Sequence, residues 1–276
     1  MFSGPDSSGT ASEGTFTTEL RQLKHDGASV LVVGSLQPAH RRDICRRLFG
    51  DESDADTPRR RIAVSTTGRP VWPSLEADST TATYRHITYD APARGSVASQ
   101  PPSTADNTGS DSPATPSAPD GPDAPNASEP AGSTTATANS STVAPSRVTV
   151  DTLADLGIAI SSAIEYFDTD AGGLEPAELR VGIDSLLPLL EATDRETVFT
   201  FLHLTTGRAT AADGMVHCHL PVERDATVVS VFSSLFDIVL EVRAHPEGYE
   251  ERWRVTDSAC DDTHHSHWIT RNPQES

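Results

Sequence analysis

Three groupings of residues have the types and spacing to do chemistry. The first is Gly34, which follows the apolar run Ala28–Val33 and precedes a short basic stretch holding His40 and Arg41. A glycine between a buried strand and a helix lets backbone N–H groups turn toward an anion, and the helix N-terminus adds a favourable dipole. The second is Asp184-Ser185, a carboxylate and a hydroxyl that stand at the end of the segment Leu179–Ile183. The third is His217-Cys218-His219 inside the apolar segment Met215–Leu220. Strand alternation puts both imidazoles on one face and the thiol on the other, and a metal site needs further ligands. The tail offers Cys260, His264, His265 and His267, but no framework fixes them, so the expectation is structural histidines and no metal.

Other groupings yield to plainer readings. Arg41, Arg42, Arg46 and Arg47 share one short helix. They form either an anion or nucleic-acid patch or an ion-paired face set against Asp43, Asp51, Glu52 and the acidic second half. The absence of interleaved aromatics favours the ion-paired face. Asp168-x-Asp170-x-Gly172-Gly173 opens like a calcium loop, but Leu179 stands at the twelfth position, so it is read as a helix-ending turn. Trp253, between Arg252 and Arg254, is read as core packing.

The elements that must position these groups are legible from periodicity. Strands are expected at Ala28–Val33, Arg61–Ser65, Thr81–Tyr89, Leu179–Ile183 and Met215–Leu220, with a hairpin from Ile238–Arg243 to Tyr249–Thr256. Helices are expected near Phe16–Lys24 and Arg41–Leu48, and over 151–168, Thr193–Thr206 and Ala226–Phe236. The 151–168 helix has Leu153, Leu156, Ile160, Ile164 and Phe167 at helical spacing. Strands alternating with helices imply an α/β fold, a mostly parallel central sheet with helices on both faces.

Residues 91–146 interrupt this pattern. They hold ten of the twenty prolines, no aromatic residue and no Leu, Ile or Met. Such a stretch cannot offset an ordering entropy of about 1–2 kcal/mol per residue. The expected organisation is a disordered N-terminus (1–16), a first part of the domain (17–90), a disordered low-complexity insertion (91–146), a second part (147–257) and a flexible tail (258–276). Loop closure costs only about 0.6 kcal/mol per doubling of length, so one domain built from both parts tolerates the insertion.

The 276 residues carry 21 basic and 40 acidic side chains, a formal charge of −19, and a single lysine, Lys24. Residues 17–90 are nearly neutral at +1, while 147–257 carry −12. Acid excess with almost no lysine suits a halophilic cytoplasm, where molar salt shortens the Debye length to about 3 Å and screens self-repulsion. That charge argues against nucleic acid and against a polybasic membrane anchor. No apolar run is long enough to span a bilayer, the first residues lack a signal-peptide pattern, and three scattered cysteines do not suggest a disulfide framework.

Taken in chain order, the motifs resemble the RecA/KaiC-like P-loop ATPases. Leu179-Arg180-Val181-Gly182-Ile183-Asp184-Ser185-Leu186 is similar to that family's second nucleotide-site strand. Met215–Pro221 and Leu235-Phe236-Asp237-Ile238-Val239-Leu240 are similar to its later elements. The resemblance is to an uncharacterised haloarchaeal family with such a core, and it spans nearly all of 17–257 outside the insertion.

The resemblance implies a nucleotide site at Gly34, His40, Arg41, Asp184 and Ser185, but a degenerate one. In the frame G-x-x-x-x-G-K-[ST], Ala39 replaces the second glycine, His40 the lysine and Arg41 the hydroxyl residue. Ala39 resists positive φ, His40 brings little charge near neutral pH, Arg41 offers no hydroxyl to magnesium, and Pro38 removes an N–H. The glutamate that relatives carry after the second core strand has no counterpart. The implied function is a non-hydrolytic regulatory or protein-interaction module of the kind used in signal transduction, with a protein partner and neither ATP nor magnesium as a cofactor. The alternative is a nucleotide-binding or weakly active ATPase with an atypical loop. Oligomeric state is left open.

Overall fold

A computed structural model describes residues 23, 27–50, 59–68, 83–91, 147–257 and 262–272. The expected insertion, the N-terminal residues and most of the Phe16–Lys24 helix lie outside these residues. Ten strands form one sheet: β1 Ala28–Val33, β2 Arg60–Ser65, β3 Tyr84–Tyr89, β4 Arg147–Val150, β5 Leu179–Ile183, β6 Met215–Leu220, β7 Ile238–His245, β8 Gly248–Asp257, β9 Asp262–His265 and β10 Ile269–Arg271. Their order is β10-β8-β7-β1-β6-β5-β2-β3-β4, with β9 also paired to β8. From β7 to β4 every neighbouring pair is parallel, and β8, β9 and β10 add antiparallel ladders at one edge. Strands from both sides of the expected insertion meet inside the sheet, since β2 pairs with β5.

The central strands β1, β5 and β6 are buried along their whole length, and β5 and β6 bury Arg180, His217 and His219 among their apolar residues. Helices lie on both faces, unequally. On one face pack α2 (Leu153–Ala171), α4 (Arg195–Thr210) and the short α5 (Thr227–Phe232), around Leu31, Ile62, Val181, Cys218 and Phe167. Leu156, Ile160, Ile164 and Phe167 of α2 are each fully buried, and burying such a side chain stabilises the fold by about 1.5–3 kcal/mol. Thr152 caps α2 by accepting from the Asp155 N–H, and Gly172 ends it at φ +72°. The Asp168–Gly173 segment is therefore the helix-ending turn expected for it. A further short helix, α3 (Leu187–Ala192), follows β5.

The other face is covered by α1 (Pro38–Phe49). The chain leaves β1, passes over β6 and β5, and enters the sheet again as β2. Helix α1 covers that crossing: Cys45 and Phe49 pack with Ala63 of β2 and Tyr84 of β3, and Ile44 and Leu48 join a cluster with residues of β1 and β7. The later crossover from β6 to β7 runs through α5 on the opposite face, which makes the C-terminal end of β1 a topological switch point. In open parallel sheets such a point leaves a crevice.

Three expectations need correction. Residues 258–276 were expected to be a loose tail, yet 262–265 and 269–271 form β9 and β10 on β8. The reason is Trp268, whose ring takes the guanidinium of Arg243 at 4.0 Å and of Arg252 at 4.7 Å, pinning the tail to the hairpin. The Ala226–Phe236 helix is shorter, ending at Phe232 and tightening into a 3₁₀ turn over Ser233–Leu235. The hairpin is also tighter than expected, with strands running to His245 and from Gly248.

Candidate functional site

All five residues expected at a nucleotide site lie at the C-terminal edge of the parallel strands. Gly34 follows β1 at φ +129°, and a Cβ there would meet the Val242 carbonyl oxygen of β7 at 2.0 Å. The glycine is required by the neighbouring strand, whatever occupies the crevice. Its N–H points to the Leu220 carbonyl of β6 at 3.4 Å. Pro38 stands in the first turn of α1, where its missing N–H costs no helical bond.

The residues replacing the loop's lysine and hydroxyl are turned to other partners. The His40 ring packs on Tyr249 of β8, with centroids 5.4 Å apart. The charge of Arg41 acts on Asp184, Cys45 and His219. Ala39 is exposed.

Asp184 is fully buried, and both its oxygens are engaged. Oδ1 accepts from the Thr66 N–H and the Thr66 hydroxyl, each at 2.8 Å, and Oδ2 accepts from the Thr67 hydroxyl at 3.0 Å. The Thr66 hydroxyl also lies 2.7 Å from the Ser185 carbonyl oxygen, and the Ser185 hydroxyl accepts from the Leu187 N–H. Burial raises the Asp184 carboxyl above its ordinary value; the Thr66 and Thr67 bonds and Arg41 oppose that rise. Asp184 thus ties the end of β5 to the segment after β2.

The fold also gathers a group that spacing alone could not assemble. Cys45 on α1 faces His217 and His219 on β6, and Cys218 points to the opposite face, as strand alternation requires. Cys45 Sγ is 3.0 Å from His219 Nε2, and one donor atom from each of the three residues lies within 4.8 Å of the others. All three side chains are buried. Burial pushes the Cys45 thiol well up, with Asp184's charge adding to it. Burial also drives both imidazoles down, His217 to about 3 with help from Arg180. Phe49 meets the His217 ring edge-on at 4.8 Å. Gly182 of β5 leaves the space for both, since a Cβ there would lie 2.5 Å from Phe49 Cζ and 2.6 Å from His217 Cε1.

A family model for a family of unknown function, DUF7504, matches residues 27–242, which is 216 of the 276 residues. The chain belongs to that family. No curated protein matches it. The family match takes in Gly34, Cys45, Asp184, His217 and His219, and it ends at Val242, so Tyr249 and the antiparallel edge from β8 onward lie beyond it.

The four arginines of α1 divide by position. Arg46 pairs with Asp43 at 2.8 Å, and Arg47 pairs with Glu251 at 2.5 Å while donating to the Tyr249 hydroxyl at 3.0 Å. That hydroxyl donates to Asp43 at 2.6 Å, and Arg271 of β10 also reaches Glu251. Arg42 is exposed. Ion pairing therefore occupies Arg46 within its own helix and Arg47 with Glu251 of the second half. A matching cluster sits on Glu241, which accepts from Arg224, Arg252 and Arg254. Trp253 is half-buried and donates to Glu251.

These networks carry an expected pH dependence. Burial works to raise Glu251 and Glu241, yet Arg47 and Arg252 respectively, with their neighbours, hold each carboxyl below its ordinary value of 4.5. A carboxyl whose folded pKa is depressed contributes stability that is complete above about 4.5 and is lost as pH falls through the folded value. Denaturant midpoints of wild type and Glu251→Gln are expected to differ above that pH and to converge below it. Curves that stay parallel through the acid range would show that Glu251 is not held ionised by its arginines.

No helix among the described residues is long and apolar enough to cross a membrane.

Proposed function

We propose that this chain is a non-hydrolytic RecA/KaiC-like domain of a haloarchaeal cytoplasm that serves as a regulatory or protein-interaction module in signal transduction. The carrying observation is the engagement of the loop and magnesium positions by the fold itself. Asp184 spends both oxygens on Thr66 and Thr67, His40 packs on Tyr249, and Arg41 stands where a hydroxyl would ligate magnesium. A P-loop site needs a lysine on the β/γ-phosphates and a hydroxyl on the metal, and neither is supplied here. The placement of β1 at the switch point, with the Asp184 strand two places away, supports the RecA/KaiC-like reading of the fold.

The interaction reading draws on an apolar groove of about 580 Å³ between α2 and α4, lined by Gly157, Phe201 and Thr205 among others. Ile158 and Leu204 on its rim are 64% and 65% exposed. A contiguous apolar surface of this kind marks a place for a partner.

The second reading, a weak nucleotide or anion binder, is favoured by one feature. Gln37 gives α1 no side-chain cap, and its first turn holds no acid. Its N-terminal N–H groups remain available to an anion. Titration of the full chain in molar KCl with a fluorescent ATP analogue separates the two. No saturable signal up to millimolar analogue is expected, and saturable binding displaced by ATP would select the second reading.

A further inference from the structure

We propose that Cys45, His217 and His219 form a binding site for a thiolate-preferring d-block cation, with zinc(II) as its first occupant, that clamps helix α1 to strand β6. Three observations lead there, and none depends on whether the crevice above binds nucleotide.

The donor set is the first. One thiol and two imidazoles suit zinc and its borderline neighbours, and they exclude magnesium and calcium, which take oxygen. Geometry is the second. In a tetrahedral zinc site with Zn–S near 2.3 Å and Zn–N near 2.0 Å, ligand atoms lie about 3.5 Å apart. Cys45 Sγ and His219 Nε2 are 3.0 Å apart, and all three donor atoms fall within 4.8 Å of one another. The widest separation exceeds the tetrahedral value by at most about 1.3 Å. The third is how the fold builds the place. Strand alternation aims His217 and His219 at one face, the crossover of α1 puts Cys45 over them, and Gly182 clears the space that the His217 ring needs.

Binding exchanges the Cys45 thiol proton for the metal, so one proton leaves per cation bound and the site gains one positive charge. Asp184 and Arg41, whose charges both act on Cys45, oppose each other there. Three protein ligands leave one position of the tetrahedron for a solvent oxygen or another donor.

The test uses the full chain, reduced and stripped with chelator, and cobalt(II) as the probe. One equivalent of cobalt is expected to bind, with a thiolate-to-cobalt charge-transfer band that zinc abolishes by displacement. Cys218→Ala, which alters the opposite face, keeps the band, and Cys45→Ala loses it. A folded wild-type chain that develops no such band, or a band retained by Cys45→Ala, overturns the site. Should Cys45→Ala not fold, X-ray absorption on the zinc-loaded wild type decides. One sulfur among nitrogen neighbours is expected, and a shell of oxygen and nitrogen alone contradicts the proposal.

Discussion

Replacing Gly34 by alanine is expected to destabilise the fold by roughly 3–6 kcal/mol, from backbone strain plus overpacking. Two costs coincide at this position. A φ of +129° lies where L side chains rarely go, and the new methyl would sit 2.0 Å from the Val242 carbonyl oxygen. The obstacle is backbone of a central parallel strand, which cannot swing aside as a flexible side chain can. Relief requires β1 and β7 to separate, and that breaks their parallel ladder from Val30 to Val33. A typical domain has about 5–15 kcal/mol of stability, so the variant should be largely unfolded or show a much lowered denaturant midpoint. An unchanged midpoint would mean that the glycine serves the crevice and not the sheet.

The second large effect is a contrast at Asp184. Asp184→Ala is expected to cost about 2–4 kcal/mol, because it leaves the buried Thr66 N–H without its acceptor and a void beside it, while the Thr66 hydroxyl keeps the Ser185 carbonyl and Thr67 is exposed. Asp184→Asn should cost less than about 1.5 kcal/mol. Its carbonyl can still accept from Thr66, and its amide can donate to the Thr67 hydroxyl oxygen. Burial already raises the Asp184 carboxyl, so removing the charge relieves some desolvation. If Asn were as damaging as Ala, the negative charge and not the hydrogen-bond pattern would be what the fold needs. Urea midpoints of the two variants, measured at the same salt, make the comparison.

Much of the architecture was legible because the central strands are buried on both faces. Leu179–Ile183 and Met215–Leu220 could be bounded to the residue, since each begins and ends on an apolar residue and is followed by Asp184 or Pro221. Strand β4, Arg147–Val150, escaped notice because it is a four-residue edge with exposed and half-exposed side chains. Strands β9 and β10 escaped because their polar composition resembles a loose end, and their docking depends on Trp268 finding two arginines of the hairpin.

The site was legible in parts. Asp184 and the two histidines stood out by position in their strands. Thr66 and Thr67 did not, since their link to Asp184 spans more than a hundred residues and joins strands whose adjacency no local pattern announces. Cys45 was visible only as an inward residue of a helix. Which strands it covers follows from α1 crossing β6 and β5 on its way to β2, and strand order is not encoded in periodicity.

The proposed reading requires that the site formed by Gly34, Arg41 and Asp184 does not hydrolyse ATP. The most direct measurement is phosphate release from ATP by the full-length chain in molar KCl, with and without magnesium, alongside folded Asp184→Asn. The expected result is no release above the protein-free blank under any condition. Magnesium-dependent release by the wild type that disappears in Asp184→Asn would contradict it.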